Sequence, residues 1–164
     1  MIFTRTSIAL TTAFALAASA FDDVYIYAPS GTGTIQVSFN GNPSSDGCLT
    51  SEAKWTANTA NCATVTASSE GYIELSERTY LVLDNESDLT TSRYSTTKWD
   101  GQHIDYSNDA LNLQANLGVT GENAWGGPLW FADEYPTGDG AVALKGHDFY
   151  ASQQMTLTFV SSDN

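Results

Sequence analysis

Basic residues are scarce in this chain of 164 residues: six lysines and arginines stand against nineteen aspartates and glutamates, for a formal net charge of −13. A surface this acidic repels the phosphates of nucleic acids and of anionic lipids. The sequence therefore predicts neither a nucleic-acid partner nor a membrane partner. Acidic chains can be disordered, but an aromatic content of 12% and regular apolar segments favour a folded domain.

Long apolar runs are missing after the first twenty residues. Before that point, Arg5 is followed by the apolar segment 8–18 and by the small-x-small sequence ASA (18–20). The segment is interrupted by threonines and is too short to span a bilayer, which is typical of a secretory signal peptide. We therefore expect a signal peptide over 1–20 and, over 21–164, a single secreted β-domain.

Cysteine is also rare, with only Cys48 and Cys62 in the chain. In an exported protein these two are expected to pair, and a bridge across this spacing contributes about 3 kcal/mol on the loop-entropy model. A zinc site would need further ligands, and only His103 and His147 remain. The sequence therefore predicts a disulfide, no metal ion and no other cofactor.

Helical periodicity is almost absent, whereas short segments that alternate apolar and polar residues recur between turn residues. This pattern predicts an all-β fold, a single antiparallel β-sandwich or barrel of about ten short strands. The predicted strands are DVYIYA (23–28), TIQVSF (34–39), CATVTAS (62–68), GYIELS (71–76), TYLVLD (79–84), QHIDYS (102–107), ALNLQ (110–114), AVALK (141–145), HDFYAS (147–152) and QMTLTFV (154–160).

Local turn signals suggest how some of these strands pair. Segments 23–28 and 34–39 flank a Pro- and Gly-containing loop and are expected to form a hairpin, and Asn108-Asp109 is expected to join 102–107 to 110–114 in a tight turn. The best candidate for a helix is TSEAKWTANTA (50–60), a short segment inside the disulfide loop with Thr50 or Ser51 as its cap.

Nucleophilic and metal chemistry find little support. The Gly-x-Ser-x-Gly elbow is missing, and no cysteine remains for a thiolate mechanism. Asp84, Glu86 and Asp88 have the spacing of the first three EF-hand ligands, but Leu89 and Ser95 stand where the loop needs glycine and a bidentate glutamate. We therefore expect a solvated acidic edge at these residues.

The segment WGGPLWFADEYPTGDG (125–140) combines aromatic rings with carboxylates, as sugar-binding clefts do. Stacking on a sugar needs an exposed ring, and Trp125, Trp130 and Tyr135 are the candidates for glycan binding. Trp125 lies beside two glycines, and Tyr135 precedes a proline in a predicted loop. Alternation places Trp130 and Phe131 on opposite faces of a strand, so at least one of these rings is expected to enter the core.

The same segment raises the question of a glycosidase, which needs two carboxyl groups facing one space. Asp133 and Glu134 are neighbours in sequence and would point to opposite faces of an extended chain. One of them could act with Asp105, Asp139 or Glu74 from another strand. With nineteen acidic residues such combinations arise by number alone, so no catalytic residue is assigned.

One modification signal stands out. Asn85-Glu86-Ser87 is an N-glycosylation acceptor sequence in a predicted surface turn, and it is the only one in the chain. The other candidate, NPS (42–44), is excluded by its proline.

The order of these segments resembles the small secreted fungal cell-wall proteins related to PhiA, which are named for a role in phialide and spore development. The similarity covers roughly residues 24 to 114 and is carried by VYIYAPSGTGTIQVSF, GYIELSERTYLVLD and KWDGQHIDYSNDALNLQ. Members of that group often have more cysteines toward the C-terminus, which this chain lacks, and the segment 125–140 has no counterpart there. The resemblance implies a secreted, sandwich-like wall protein with no known catalytic centre.

Three functions are therefore distinguished. The first is a secreted, non-enzymatic structural protein of the cell wall or cell surface, linked to fungal wall or spore development. The second is a carbohydrate-binding, lectin-like protein or effector that contacts cell-wall polysaccharide, and the third is a small hydrolase acting on glycans. The sequence does not indicate an oligomeric state.

Overall fold

The computed structural model describes residues 26–39, 45–86, 88–103, 111–116, 130–146 and 153–162. These residues form antiparallel strands connected in one curled sheet, together with a 3-10 helix at Thr59–Asn61, and the all-β prediction is confirmed. The strands are β1 (Ile26–Tyr27), β2 (Gly31–Phe39), β3 (Cys48–Leu49), β4 (Trp55–Thr56), β5 (Val65–Ala67), β6 (Ile73–Ser76), β7 (Thr79–Leu83), β8 (Leu89–Ser92), β9 (Lys98–His103), β10 (Leu111–Asn116), β11 (Trp130–Ala132), β12 (Ala141–Val142) and β13 (Gln153–Ser161).

The two longest strands, β2 and β13, form the middle of the sheet. They pair from Gly33 opposite Ser161 to Phe39 opposite Met155. Along the main path the order is β1-β9-β10-β13-β2-β5-β6-β7-β8, with β11 beside β13 and the short strands β3, β4 and β12 branching from β2. No helix in the described part of the chain is long and apolar enough to cross a membrane.

Backbone hydrogen bonds close part of this sheet into a barrel. The segment Leu144–Lys145 lies beyond β8, where the Leu89 amide donates to the Leu144 carbonyl at 2.8 Å. On its other side Lys145 exchanges two backbone hydrogen bonds of 2.9 Å with Phe131 of β11. Because β11 pairs with β13, the circuit runs from β13 through β2, β5, β6, β7 and β8 and back. We call Leu144–Lys145 the seam.

Apolar side chains that alternate with polar ones along the central strands form the core of the barrel. Ile35 and Val37 of β2 are fully buried, while their neighbours Thr34 and Gln36 are partly exposed. Since side chains two apart share a face of a strand, this pattern directs one face of β2 to the core. The core also contains Leu49, Trp55, Val65, Ile73, Leu81, Trp99, Leu113, Trp130, Leu144, Met155, Leu157 and Phe159.

Trp99 fastens β9 to the barrel wall. Its amide donates to the Gly71 carbonyl at 2.7 Å, and its indole Nε1 donates to the Leu81 carbonyl at 2.9 Å. The preceding Thr97 hydroxyl accepts a hydrogen bond of 2.9 Å from the Leu83 amide. Gly71 has a φ of +88°, and a Cβ there would lie 2.8 Å from the Trp99 carbonyl oxygen. Glycine is therefore required for this close approach.

Two local predictions are wrong. The first predicted strand is not the hairpin partner of β2, since β1 pairs with β9 at Gly101 and Gln102. The predicted helix over 50–60 is a tight turn, strand β4 and the 3-10 helix. Thr50 does act as a cap, but its hydroxyl accepts from the amides of Glu52 and Lys54 within that turn. Burial of Trp55, which is 0% exposed, outweighs the weak helical preference of this segment.

Candidate functional site

The candidate site lies where residues 133–140, which we call the Tyr135 loop, pack against the hairpin formed by β3 and β4. The loop leads into β12, which pairs with β4 at Trp55 and Thr56. The Thr56 hydroxyl also donates to the Gly140 carbonyl at 3.1 Å. The end of the loop is therefore fixed to the hairpin by backbone and side-chain hydrogen bonds.

The predicted disulfide between Cys48 and Cys62 is confirmed, with a Cα–Cα distance of 5.4 Å. It closes the loop that contains β4 and the 3-10 helix. Next to the bridge, the Ala63 amide donates to the Leu49 carbonyl at 2.9 Å. The hairpin formed by β3 and β4, against which the Tyr135 loop packs, is therefore stabilised by a covalent bond as well as by strand pairing.

Tyr135 is a partly exposed ring in a fixed position. Its side chain is 45% exposed, and its ring meets that of Trp55 edge to face with centroids 4.7 Å apart. The Asp46 carbonyl accepts hydrogen bonds from both the Tyr135 hydroxyl, at 3.4 Å, and Trp55 Nε1, at 3.3 Å. The next residue, Pro136, is buried. A ring held in this way is pre-organised for contact with a flat apolar surface such as one face of a sugar.

Two of the three carboxylates of the Tyr135 loop contact a cationic or an amide group. Asp139 Oδ1 accepts a hydrogen bond of 2.7 Å from Asn58 Nδ2, which ties the loop to the start of the 3-10 helix. Asp133 forms a salt bridge of 3.1 Å with Lys145 at the seam. Glu134 is exposed. These contacts position the loop and give Asp133 and Asp139 structural partners.

Glu74 and Asp105 are the other predicted candidates for a catalytic carboxylate. Glu74 accepts a hydrogen bond of 2.7 Å from the Arg78 amide at the turn between β6 and β7. Asp105 lies outside the described residues, as does His147.

Trp130 does not serve as an exposed stacking ring. It is only 2% exposed and packs against Trp99, with ring centroids 5.7 Å apart. The prediction that at least one ring enters the core is confirmed, but a glycan-binding role for Trp130 is wrong, because a sugar cannot reach it. All three residues of β11 are buried, so both faces of this strand are covered, while pairing with β13 and the seam occupies its two edges. Trp125, the remaining candidate, lies outside the described residues.

The acidic turn between β7 and β8 is organised by Asp84. Its carboxylate Oδ1 accepts hydrogen bonds of 2.9 Å from the amides of Glu86 and Asp88, an Asx turn. Asp84 and Glu86 are exposed, as the solvated edge predicted here requires. Asp88 forms a backbone bridge with Lys145 of the seam. The acidic residues whose spacing resembles that of calcium ligands therefore belong to a turn held together by the Asp84 carboxylate.

Burial raises the pKa of the Asp88 carboxyl above its ordinary value of 3.8, and the negative charge of Asp84 raises it further, while Lys145 opposes the shift. Glu86 and Asp133 also raise it. The folded protein therefore holds a proton on Asp88 more strongly than the unfolded chain does. The stability associated with this proton is present below pH 3.8 and is lost as the pH rises through the raised pKa.

We expect Asp88→Asn to raise the melting temperature at pH 7, because the variant removes a carboxylate that the fold disfavours. The gain should disappear at about pH 3, where Asp88 is protonated in both states. Thermal unfolding at the two pH values measures this, with Glu52→Gln, an exposed position in the β3–β4 turn, as the control for loss of one negative charge. A melting temperature that is unchanged or lower at pH 7 contradicts the assignment.

No protein-family model matches the chain, and no curated protein or solved structure matches it significantly.

The sequence pointed to the Tyr135 loop but not to the groups that hold it. Neither Asp46 nor Asn58 has a sequence signal for this role, because Asp46 contributes a backbone carbonyl and Asn58 lies inside the segment 50–60 that is predicted to be helical. Their contacts with the loop span 89 and 81 residues of sequence. The available signal was the low helix propensity of Trp55, Thr56 and Asn58.

Proposed function

We propose that this chain is a secreted, non-enzymatic structural protein of the cell wall or cell surface. The observation that carries the proposal is the mutual bracing of the Tyr135 loop and the disulfide-closed hairpin. Two of the acidic residues there that could have formed a reaction centre, Asp133 and Asp139, make contacts that hold the loop in place. Asp139 is bound to Asn58, and Asp133 is paired with Lys145. A glycosidase instead directs two carboxyl groups at one substrate-filled space.

Export is the second part of the proposal. It rests on Arg5, on the apolar segment 8–18 that ends at ASA (18–20), and on the disulfide. Disulfides persist in oxidising compartments and are rare in the cytosol. A place at the fungal wall, with a role in wall or spore development, rests on the resemblance of residues 24–114 to the proteins related to PhiA.

Expression of the full chain in a fungal host tests the proposal. We expect the protein in the medium or the wall fraction, with Phe21 at its N-terminus and Cys48 bonded to Cys62. Leu16→Arg, which places a charge in the apolar segment, is the control and should keep the chain inside the cell. Wild-type chain that stays in the cytosol with its first twenty residues attached contradicts export, and release of sugars from wall polysaccharide by the purified protein contradicts the non-enzymatic role.

A second candidate function is binding to cell-wall polysaccharide, and Tyr135 favours it. Tyr135 is 45% exposed, its ring packs against Trp55, and it lies on the same loop as Asp139, which accepts a hydrogen bond from Asn58. Sugar-binding sites combine an aromatic face for the apolar side of a sugar with polar groups for its hydroxyls. Trp125 stays a predicted second stacking ring.

Binding at Tyr135 can be tested with the secreted protein and insoluble chitin or β-glucan. We expect Tyr135→Ala to weaken binding about two- to tenfold, since an aromatic contact contributes about 0.5–1.5 kcal/mol. Tyr135→Phe keeps the ring and should bind nearly as well as the wild type. Tyr94→Ala is the matched control, because Tyr94 is 78% exposed outside the site. Equal binding by Tyr135→Ala and the wild type eliminates this site and leaves the structural role.

A further inference from the structure

The turn between β7 and β8 contains the acceptor sequence Asn85-Glu86-Ser87, and its backbone does not depend on the Asn85 side chain. Asp84 builds the turn: its carboxylate accepts from two amides, and its own amide donates to the Asp88 carbonyl at 3.1 Å. Asn85 occupies the position after this cap and is exposed. A change at the Asn85 amide therefore leaves the hydrogen bonds of the turn in place.

Two other asparagines of the described chain, Asn58 and Asn112, make side-chain hydrogen bonds. Asn58 accepts a hydrogen bond from the Ala60 amide with its side-chain oxygen and donates to Asp139 with its nitrogen. Asn112 accepts from the Thr158 hydroxyl at 3.2 Å. The Asn85 amide makes no hydrogen bond to another described residue. Asn85 thus combines the acceptor sequence with a side chain that no other described residue binds through a hydrogen bond.

The surroundings also leave space for a large group. Asp84, Asn85 and Glu86 are all exposed, whereas the chain becomes buried again at Leu89, which is 4% exposed. These residues of the turn are therefore at the surface, next to the point where β8 meets the seam. A polar, bulky substituent at Asn85 would extend into water without displacing a core side chain.

We propose that Asn85 carries an N-linked glycan when the chain passes through a eukaryotic secretory route. This inference rests on the export part of the proposed function. In the transfer step the Asn85 side-chain nitrogen forms a bond to the anomeric carbon of an oligosaccharide carried on a lipid diphosphate. The bond from that carbon to the diphosphate oxygen breaks, the lipid diphosphate leaves with the electron pair, and the amide loses one proton. The host's transferase and lipid-linked sugar supply the catalyst and the donor.

The test is secretion of the full chain from a yeast or filamentous fungal host, followed by intact-mass measurement before and after treatment with a peptide-N-glycosidase. We expect one glycan to be released and aspartate to appear at position 85 in the peptide map, because the enzyme hydrolyses the glycosylated amide. Asn85→Gln should be secreted at the lower mass without treatment. The peptide that contains NPS (42–44) should be unmodified and is the internal control.

Ser87→Ala is the second variant, because it keeps Asn85 and removes only the hydroxyl that the acceptor sequence requires. It should lack the glycan and melt at the same temperature as the enzymatically deglycosylated protein. Secreted wild-type protein that begins at Phe21 and has the mass of the bare polypeptide overturns the glycan proposal but leaves export intact. Chain that never enters the secretory route overturns both.

Discussion

Trp99→Phe is expected to lower the free energy of unfolding by about 2–4 kcal/mol, the sum of a lost ring volume and an unpaired carbonyl. The Trp99 indole donates to the Leu81 carbonyl at 2.9 Å and is fully buried. Phenylalanine fills part of the space but leaves that carbonyl without its donor in a site closed to water. Because Leu81 lies on β7 and Trp99 on β9, the loss should loosen the attachment of β9 to the barrel wall.

Trp130→Phe is the matched comparison and should cost only about 1–2 kcal/mol, because it loses volume alone. Trp130 is 2% exposed and Trp99 is 0% exposed, but Trp130 Nε1 has no hydrogen-bond partner among the described residues. Removing this buried donor therefore abolishes no hydrogen bond. Chemical denaturation of the two variants under identical conditions measures the difference. Equal costs, or a larger cost for Trp130→Phe, would show that the indole hydrogen bond of Trp99 does not stabilise the sheet.

The strand pattern was predictable because burial on one face leaves an alternation in the sequence. Segments 62–68, 71–76 and 79–84 were predicted as successive strands, and they form the antiparallel β5, β6 and β7. Pairing between distant segments left no such signal. The principal partner of β2 is β13, from the opposite end of the chain, and turn residues cannot report a partner so far away.

The pairing of β9 with β10 also shows that strand segments are easier to predict from sequence than their exact register. Strands β9 and β10 pair with each other, as a hairpin requires, with His103 opposite Leu111. A two-residue turn at Asn108-Asp109 would instead place residue 106 opposite Leu111, so the predicted tight turn does not fit the observed register. An alternation of buried and exposed side chains is expected only where one face of a strand meets water, and β11 does not meet that condition. Both faces of β11 are covered, because its three consecutive residues are all buried.

The candidate site was predictable in part for similar reasons. Two cysteines in an exported chain allow only one pairing, so the disulfide followed from the count. The exposure of Tyr135 followed from the Pro and Gly around it. The contacts that fix its ring could not be predicted, because Asp46, Trp55 and Asn58 approach the loop only after β12 has paired with β4.

Replacing both cysteines, as Cys48→Ala with Cys62→Ala, is expected to lower the free energy of unfolding by about 3 kcal/mol on the loop-entropy model. The bridge joins residues separated by 14 positions, and the unfolded chain regains the freedom of that loop when the bridge is removed. The loop contains β4, which supports β12 and the Trp55 ring against which Tyr135 packs. The effect should therefore include a loss of order at the Tyr135 loop.

Denaturant unfolding of the double variant, beside the wild type with and without a reducing agent, separates the contribution of the bridge from the effect of the new side chains. The reduced wild type should lie within about 1 kcal/mol of the variant, because loss of the cross-link dominates both. Hydrogen exchange should increase first at the amides of β4 and β12, while the β2–β13 pair, which the bridge does not enclose, stays protected. Uniform loss of protection across the sheet would mean that the hairpin and the barrel unfold as one unit, and the ring of Tyr135 would then be held by the whole fold and not by the disulfide-closed hairpin.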